Sequence, residues 1–344
     1  ELIGTPLDDV VWLGPGDDRF TDTGGNDVIC GGPGNDTIAA GAGSDYVDGE
    51  GGHDKISGEE GDDWIVGGDG KDEIFPGAGN DRVEAGKGDD YIAEAEGNDR
   101  INGGPGTDYV TYLFQNNPIR VKNAREVTGA GRDVLTNVET IEGSAKADVI
   151  RGSAAMERLR GGGGNDRIYG LGGDDVIFIS GGMADGGPGV DFIQASGRTT
   201  AKGGPDSDQI VLLKGPVKAL GGPAGDTFKV ADPGFTGSVD GQGAANQLDF
   251  SVHKRAVTVN IGKGRASWKG GHMRLRSIHN TLGTTKGDTL IGSNGNDYLN
   301  GLGGNDTLRG LGGSDFLIGD KGRDFADGGA AFDICMAERT RNCP

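Results

Sequence analysis

The chain has 344 residues, 71 of them glycine, with a formal net charge of −20 and only 33% hydrophobic and 6% aromatic residues. That is poor material for an ordinary globular core, and low hydrophobicity with high net charge ordinarily marks disorder. The acidity excludes the basic footprint that nucleic-acid binding needs, and no apolar run approaches the roughly 18 residues of a membrane helix, the longest being about Ile210 to Leu213.

A repeat overrules disorder from the first residues onward. Asp9, Asp18, Asp27, Asp36, Asp45, Asp54, Asp63, Asp72, Asp81, Asp90, Asp99 and Asp108 follow one another at nine-residue intervals. Two places after each stands an apolar residue, from Val11 and Phe20 to Ile101 and Val110. Two places before each stands a glycine, with Leu7 the one exception. Such repeats can stack and bury a thin core despite a poor composition. Each block divides into a six-residue turn, where glycine permits positive φ, and a three-residue strand whose middle side chain faces inward. Residues 1–111 therefore read as a regular roll, two blocks making one 18-residue coil.

The outward places of one sheet would carry Val10 and Trp12, Val28 and Cys30, Tyr46 and Asp48, Trp64 and Val66, Arg82 and Glu84, then Arg100 and Asn102. Tyr46, Trp64 and Arg82 would form a ladder flanked by Asp48 and Glu84, with Trp12 and Arg100 along the same face. Aromatics beside carboxylates and arginines suit a sugar chain. Asp48 and Glu84, two coils apart or roughly 9.6 Å, lie just beyond the 6.5–9.5 Å typical of inverting glycosidases. A lyase or epimerase would use Tyr46 with Arg82, or Lys55 with Tyr91 on the other sheet, to neutralise a uronate and move its proton. The plainer alternative is a solvated sheet face with a few exposed rings. Cys30 reads as a small packed side chain, and His53 occupies the variable fifth place of a turn.

Residues 112–147 interrupt the beat with "NPIRVKNAREVTG" and "LTNVETIEGSAKAD", and a short regular roll resumes over 148–179 at Asp148, Glu157, Asp166 and Asp175. Over 180–247 the spacing lengthens: Asp191, Asp208 and Asp226 stand 16, 17 and 18 residues after their predecessors. That pattern predicts coils in which one of the two turns has lost its carboxylate. Residues 248–287 form a second insertion, with "AVTVNIGKGRASWKG" and "LRSIHNTLGTTKGD". Both insertions alternate with period two, and they read as related segments that extend a coil as hairpins on its side. The second carries a basic patch, "KGGHMRLRSIH", suited to a neighbouring acidic row or to an anionic polymer. Together with His53, the histidines His253, His272 and His279 give little support to metal or nucleophilic catalysis. The regular roll returns over 288–334 at Asp288, Asp297, Asp306, Asp315, Asp324 and Asp333. In the tail, 335–344, a disulfide between Cys335 and Cys343 is preferred over free thiols.

Stacking at about 4.8 Å would align the aspartates into one row along each edge. Two bare carboxylates about 5 Å apart repel by roughly 3 kcal/mol at an effective dielectric near 20. A hard dication between turns removes that penalty. Six to eight oxygens at flexible angles suit calcium better than magnesium, and the absence of paired Cys or His argues against zinc. The ligands so expected are Asp18, Asp27, Asp36, Asp45, Asp54, Asp63, Asp72, Asp81, Asp90, Asp99, Asp108, Asp166, Asp175, Asp297, Asp306, Asp315 and Asp324. The competing reading is that these aspartates cap turns through local hydrogen bonds.

The blocks "GGPGNDTIA" at 31–39 and "GLGGNDTLR" at 301–309 resemble the glycine-rich GGxGxDxUx nonapeptide of the RTX (hemolysin-type) calcium-binding proteins. The resemblance implies an all-β fold, a right-handed parallel β-roll or β-helix, with Ca2+ held between turns and secretion of the protein. "GGAAFDICMAERTRNCP" resembles the tails of secreted actinobacterial members, and the lack of a leader as the sequence stands reads as a mature form. Many members carry a separate catalytic domain, and none is visible here. The expectation is a secreted repeat protein that Ca2+ folds and stabilises. The alternatives are an extracellular polysaccharide-active enzyme (glycoside hydrolase, lyase or epimerase) with Asp48, Glu84, Tyr46 and Arg82 as catalytic and Trp12, Trp64 and Arg100 as substrate-binding residues, or a surface adhesin.

Overall fold

The computed structural model describes residues 2–243 and 245–343; Glu1, Ala244 and Pro344, at which the expected segments begin, pass or end, lie outside the described residues. Among the described residues every regular element is a β-strand. The chain divides into two compact units, 1–168 and 169–344.

In the first unit, strands such as Tyr46–Gly51, Trp64–Asp69 and Arg82–Lys87 pair in parallel, with Tyr46 opposite Trp64 and Trp64 opposite Arg82. The alternate strands, among them Lys55–Glu60 and Glu73–Ala78, form a second parallel sheet with Lys55 opposite Glu73. Each partner is 18 residues away, so two nonapeptides make one coil. Phe20, Ile29, Ile38, Val47, Ile56, Ile65 and Ile74, all at the eighth place, are wholly or almost wholly buried between the sheets. β-branched residues suit this core because their stiff side chains pack on a pleated surface.

Two details differ from the three-residue strands expected. Over 28–87 most strands run for six residues, because the backbone stays extended through the first glycines of the next block. Their burial alternates exposed, buried, half-buried, buried, so the ninth place is a shoulder rather than an open face.

The first insertion is a three-stranded antiparallel meander, Arg120–Lys122, Glu126–Thr128 and Arg132–Thr136. Its last strand pairs in parallel with Arg100–Asn102 and its first with Val149–Arg151. The insertion is thus set into the sheet, not hung on its side. The second unit repeats the device with Val257–Asn260, Arg265–Trp268 and Gly271–Arg276, set between Phe235–Gln242 and Thr289–Ile291. In both, sheet pairing satisfies the backbone groups that a free hairpin edge would expose.

Elsewhere the second unit stacks parallel coils in the same way, from Val176–Ile179 and Gly182–Asp185 onward. The tail continues the coil: Arg339–Arg341 pairs in parallel with Phe325–Ala330, and Cys335 and Cys343 form a disulfide. Cys30 is a free, half-buried thiol.

Candidate metal centre

The turns are built around two glycines. At Gly52, φ is +146°, and a Cβ would lie 1.7 Å from the carbonyl oxygen of Gly34 in the coil before. At Gly49, a Cβ would lie 2.5 Å from the carbonyl oxygen of Gly67 and 2.6 Å from Asp54 Oδ2. Glycine at the first place therefore keeps open a small space in which a carboxylate oxygen and a carbonyl of the next coil converge.

Asp54 shows what lines that space. It is 2% exposed, its Oδ1 accepts the Asp36 backbone N–H at 2.7 Å, and its own N–H donates to Asp72 Oδ1 at 2.8 Å. Asp54 Oδ2 is buried without a hydrogen-bond partner. The same bond runs along one edge through Asp18, Asp36, Asp54, Asp72, Asp90 and Asp108, and along the other through Asp9, Asp27, Asp45, Asp63, Asp81 and Asp99. From Asp27 to Asp108 the aspartates thus bridge coils rather than capping their own turns, whereas Asp9, Asp148, Asp288 and Asp297 also accept the N–H of Thr5, Ser144, Thr284 and Ser293 in theirs. In Asp27, Asp36, Asp45, Asp54, Asp63, Asp72, Asp81, Asp90 and Asp108 one oxygen is used up by a backbone donor and the other is orphaned, a costly arrangement in a dry site.

Burial is the main reason these carboxyls sit high. Asp54 and Asp63 are pushed up to about 7, and Asp72 and Asp81 to about 6, with neighbouring aspartates adding to the effect in each and backbone hydrogen bonds opposing it. Asp166, Asp208 and Asp306 are likewise pushed up to about 7. Rows of carboxyls that resist ionising alone, lined by carbonyls and supplying only oxygen, fit a hard dication.

Of the expected ligands, Asp27, Asp36, Asp45, Asp54, Asp63, Asp72, Asp81, Asp90, Asp99, Asp108, Asp166, Asp175, Asp297, Asp306, Asp315 and Asp324 are all buried. Asp18 is half-buried near the start of its row. Several others hold equivalent places: Asp191, Asp208 and Asp226 extend the row from Asp175, and Asn246 Oδ1 ends it by accepting the Asp226 N–H at 2.8 Å. Asp148, Asp288 and Asp333 are buried as well. Asp133, inside the first insertion, was not in the expected set, yet its Oδ1 accepts the Asp99 N–H at 3.2 Å. The signal was present as Gly131-Arg132-Asp133-Val134-Leu135, a glycine, carboxylate and apolar residue at repeat spacing.

The fifth place is less free than the sequence suggests. Asn35 Oδ1 accepts the His53 N–H, and His53 Nδ1 accepts the Lys71 N–H, both at 2.7 Å, so an outer ladder runs beside the aspartates. His253 is buried with its Nδ1 3.0 Å from the Arg255 carbonyl oxygen, and its ring meets Phe250 and Trp268. His272 lies opposite Thr236, and in the basic patch Arg276 lies opposite Asp240.

The outer face brings the expected ladder into contact. The Tyr46 and Trp64 rings meet edge-on at 5.2 Å, and the Arg82 guanidinium lies 4.5 Å from the Trp64 ring centre. Arg82 also pairs with Glu84, and Tyr46 donates to Asp48 at 3.3 Å. Asp48 and Glu84 do not meet, because Val66 stands between them in the register. Arg82, Glu84 and Arg100 border a shallow depression of about 290 Å³, whereas Trp12 is 72% exposed several coils away. Lys55 is neutralised by Glu73 at 3.1 Å, and Tyr91 stacks on Tyr109, so these two are not brought together as an acid–base pair.

The family model for the RTX calcium-binding nonapeptide repeat matches in overlapping copies across residues 3–117, 135–182 and 282–335. The chain belongs to the RTX calcium-binding repeat family. Besides residues 1–2 and 336–344, the unmatched residues are part of the first insertion and the stretch 183–281, where the spacing lengthens and the second insertion lies. No curated protein matches the chain. Among the described residues, no helix of this RTX repeat protein is long and apolar enough to cross a membrane.

Proposed function

We propose that this calcium-binding repeat protein is secreted, and that Ca2+ held between its turns drives it to fold. The observation that carries this reading is the orphaned Oδ2 of Asp27, Asp36, Asp45, Asp54, Asp63, Asp72, Asp81, Asp90 and Asp108 in the two buried rows, and of Asp191, Asp208 and Asp226 further on. Asp54, Asp72 and their row-mates would supply carboxylate oxygens, and glycine carbonyls such as that of Gly67 would complete the shell. Bound calcium would supply the positive charge that lets the buried carboxylates ionise. Without it the roll must bury either unpaired charge or protonated acids, so binding and folding are one equilibrium. The disulfide between Cys335 and Cys343 fits an oxidising compartment outside the cytosol. A chain unfolded where calcium is scarce and folded where it is plentiful suits export.

The test is far-UV circular dichroism of the whole chain at neutral pH, titrated with calcium after chelation. The expected result is a cooperative gain of β signal, and an unchanged spectrum would refute metal-coupled folding. The alternative of a polysaccharide-active face has weaker support. Arg82 already occupies the Trp64 ring and pairs with Glu84, leaving that aromatic less free to stack on a sugar. Product analysis by mass spectrometry, on calcium-loaded protein with uronate-rich and neutral polysaccharides, separates the two readings.

A further inference from the structure

The first place of the repeat, glycine in most turns, carries an acid at Asp22 and at Glu94. Asp22 also lies among carboxylates, with Asp9 and Asp27, but there Asp9 Oδ2 already accepts from Thr5. The Glu94 side chain enters the space that Gly49 or Gly58 leaves open in other turns. Glu94 is 2% exposed, one oxygen accepts the Ala95 N–H at 3.1 Å, and Oε1 is buried with no partner. Asp99 and Asp133 offer oxygens to the same chamber, and all three carboxylates can place a ligand atom within 4.8 Å of one another.

A second group points into this chamber from the first insertion. Tyr112 is fully buried, and its hydroxyl makes no hydrogen bond of normal geometry. Burial first, then the charges of Asp133 and Glu94, hold its phenol well above the ordinary range. Gln115 closes the turn, its Nε2 donating to the carbonyls of Glu94 and Ala95.

The insertion does not require these polar groups. In the second unit the equivalent junction shows the same connections: Phe250 N–H bonds Leu282 as Tyr112 bonds Glu142, and Val257 N–H bonds Asp288 Oδ1 as Ile119 bonds Asp148. Register then matches Glu94 with Val230, Tyr112 with Phe250 and Asp133 with Met273. At those three places the second junction is apolar, with His253 standing where Gln115 stands in the first. The first gathers three carboxylates and a phenol without a compensating cation among the described residues, which a packing role alone does not explain.

We propose that Glu94, Asp99 and Asp133 hold a divalent cation, calcium, more tightly than the repeat turns do, and so clamp the first insertion to the roll. The proposal rests on the calcium reading above. A third full charge in a water-poor chamber strengthens cation binding, and the ion removes the repulsion that three buried carboxylates otherwise carry. Tyr112 would turn its hydroxyl to the carboxylates and exclude water.

The test is calcium titration of the whole chain at neutral pH, in competition with a chromophoric chelator. The wild type should show one step about tenfold or more tighter than the rest, as one added charge implies. Glu94→Gln, and separately Glu94→Gly (which restores the ordinary repeat residue), should remove that step while the remaining uptake and the circular dichroism of the calcium-loaded protein stay unchanged. Tyr112→Phe should weaken the same step alone. Superposable titrations of wild type and both Glu94 variants would overturn the proposal and make Glu94 a buried neutral acid sharing a proton with Asp99. Absence of any calcium uptake by the wild type would instead overturn the calcium reading of the whole repeat.

Discussion

The coils over 18–108 and those over 176–242 hold their turns by different means. In the first region both edges carry buried aspartates, and the first place is glycine at Gly49, Gly58 and Gly67. In the second, one edge keeps Asp191, Asp208 and Asp226, and there the first place is still glycine, at Gly186, Gly203 and Gly221, each of whose Cβ would meet its aspartate within 2.2 Å. On the other edge the aspartates are gone, and the first place is filled by Ile179, Ala195, Leu212 and Val230, all buried. Burying a side chain such as leucine contributes about 1.5–3 kcal/mol without any ion. The two residues change together because they share one space. In the first region, beside a buried carboxylate, it takes glycine or a side chain no larger than Ala40, Pro76 or Ala85, the acids Asp22 and Glu94 apart; where the carboxylate is gone it takes Ile179, Leu212 or Val230.

This contrast breaks first under chelation. Hydrogen exchange read by mass spectrometry should show 18–108 losing protection when calcium is removed, while 192–242 loses much less. Equal loss in both regions would show that the apolar edge does not stand in for the ion.

Acid should partly replace the metal. The folded-state carboxyls at about 7 for Asp54 and Asp63, and about 6 for Asp72 and Asp81, lie above the ordinary 3.8. The folded, metal-free state therefore binds more protons than the unfolded chain between these values, and its stability falls as pH rises. Metal-free protein should gain β signal on going from pH 8 to pH 5, while calcium affinity declines over the same range. A metal-free spectrum independent of pH would contradict the burial of these carboxyls.

Smaller effects sharpen the comparison residue by residue. Leu212→Ala should lower stability by about 2–4 kcal/mol in saturating calcium, through lost burial and a cavity. Asp63→Asn should instead weaken calcium uptake, because the amide keeps the Oδ1 acceptor for the Asp45 N–H but removes the charge. Thermal melts at several calcium concentrations distinguish the two, since only the second should depend steeply on the metal. The smallest change is expected at Lys55→Ala. Both partners of its ion pair with Glu73 are more than half exposed, so the cost should stay below about 1 kcal/mol in the same melts.

Much of the fold was legible because the repeat encodes it locally. The interval between Asp54 and Asp72 sets the coil, and the place of Ile56 sets its inward face. The loss of one carboxylate row after Asp175 was also legible from spacing. What filled the vacated edge was not, because Ile179 and Leu212 read simply as strand residues until the register put them in the glycine column. Asp133 was overlooked for a related reason: its block is complete, but it stands 34 residues after Asp99, outside the beat. The meanders looked like side hairpins because alternation reports a strand without naming its neighbour.

By itself, then, the sequence determined the coil length, the thin β-branched core and two lines of carboxylates that call for a cation, since each follows from residues within one nonapeptide. Only the tertiary structure decided which oxygen of each aspartate is occupied and which is orphaned, and how the insertions enter the sheet. The convergence of Glu94, Tyr112 and Asp133 was settled there too. Those outcomes depend on contacts between residues 18 or more apart, and the stacking of coils, not the local repeat, brings such residues together.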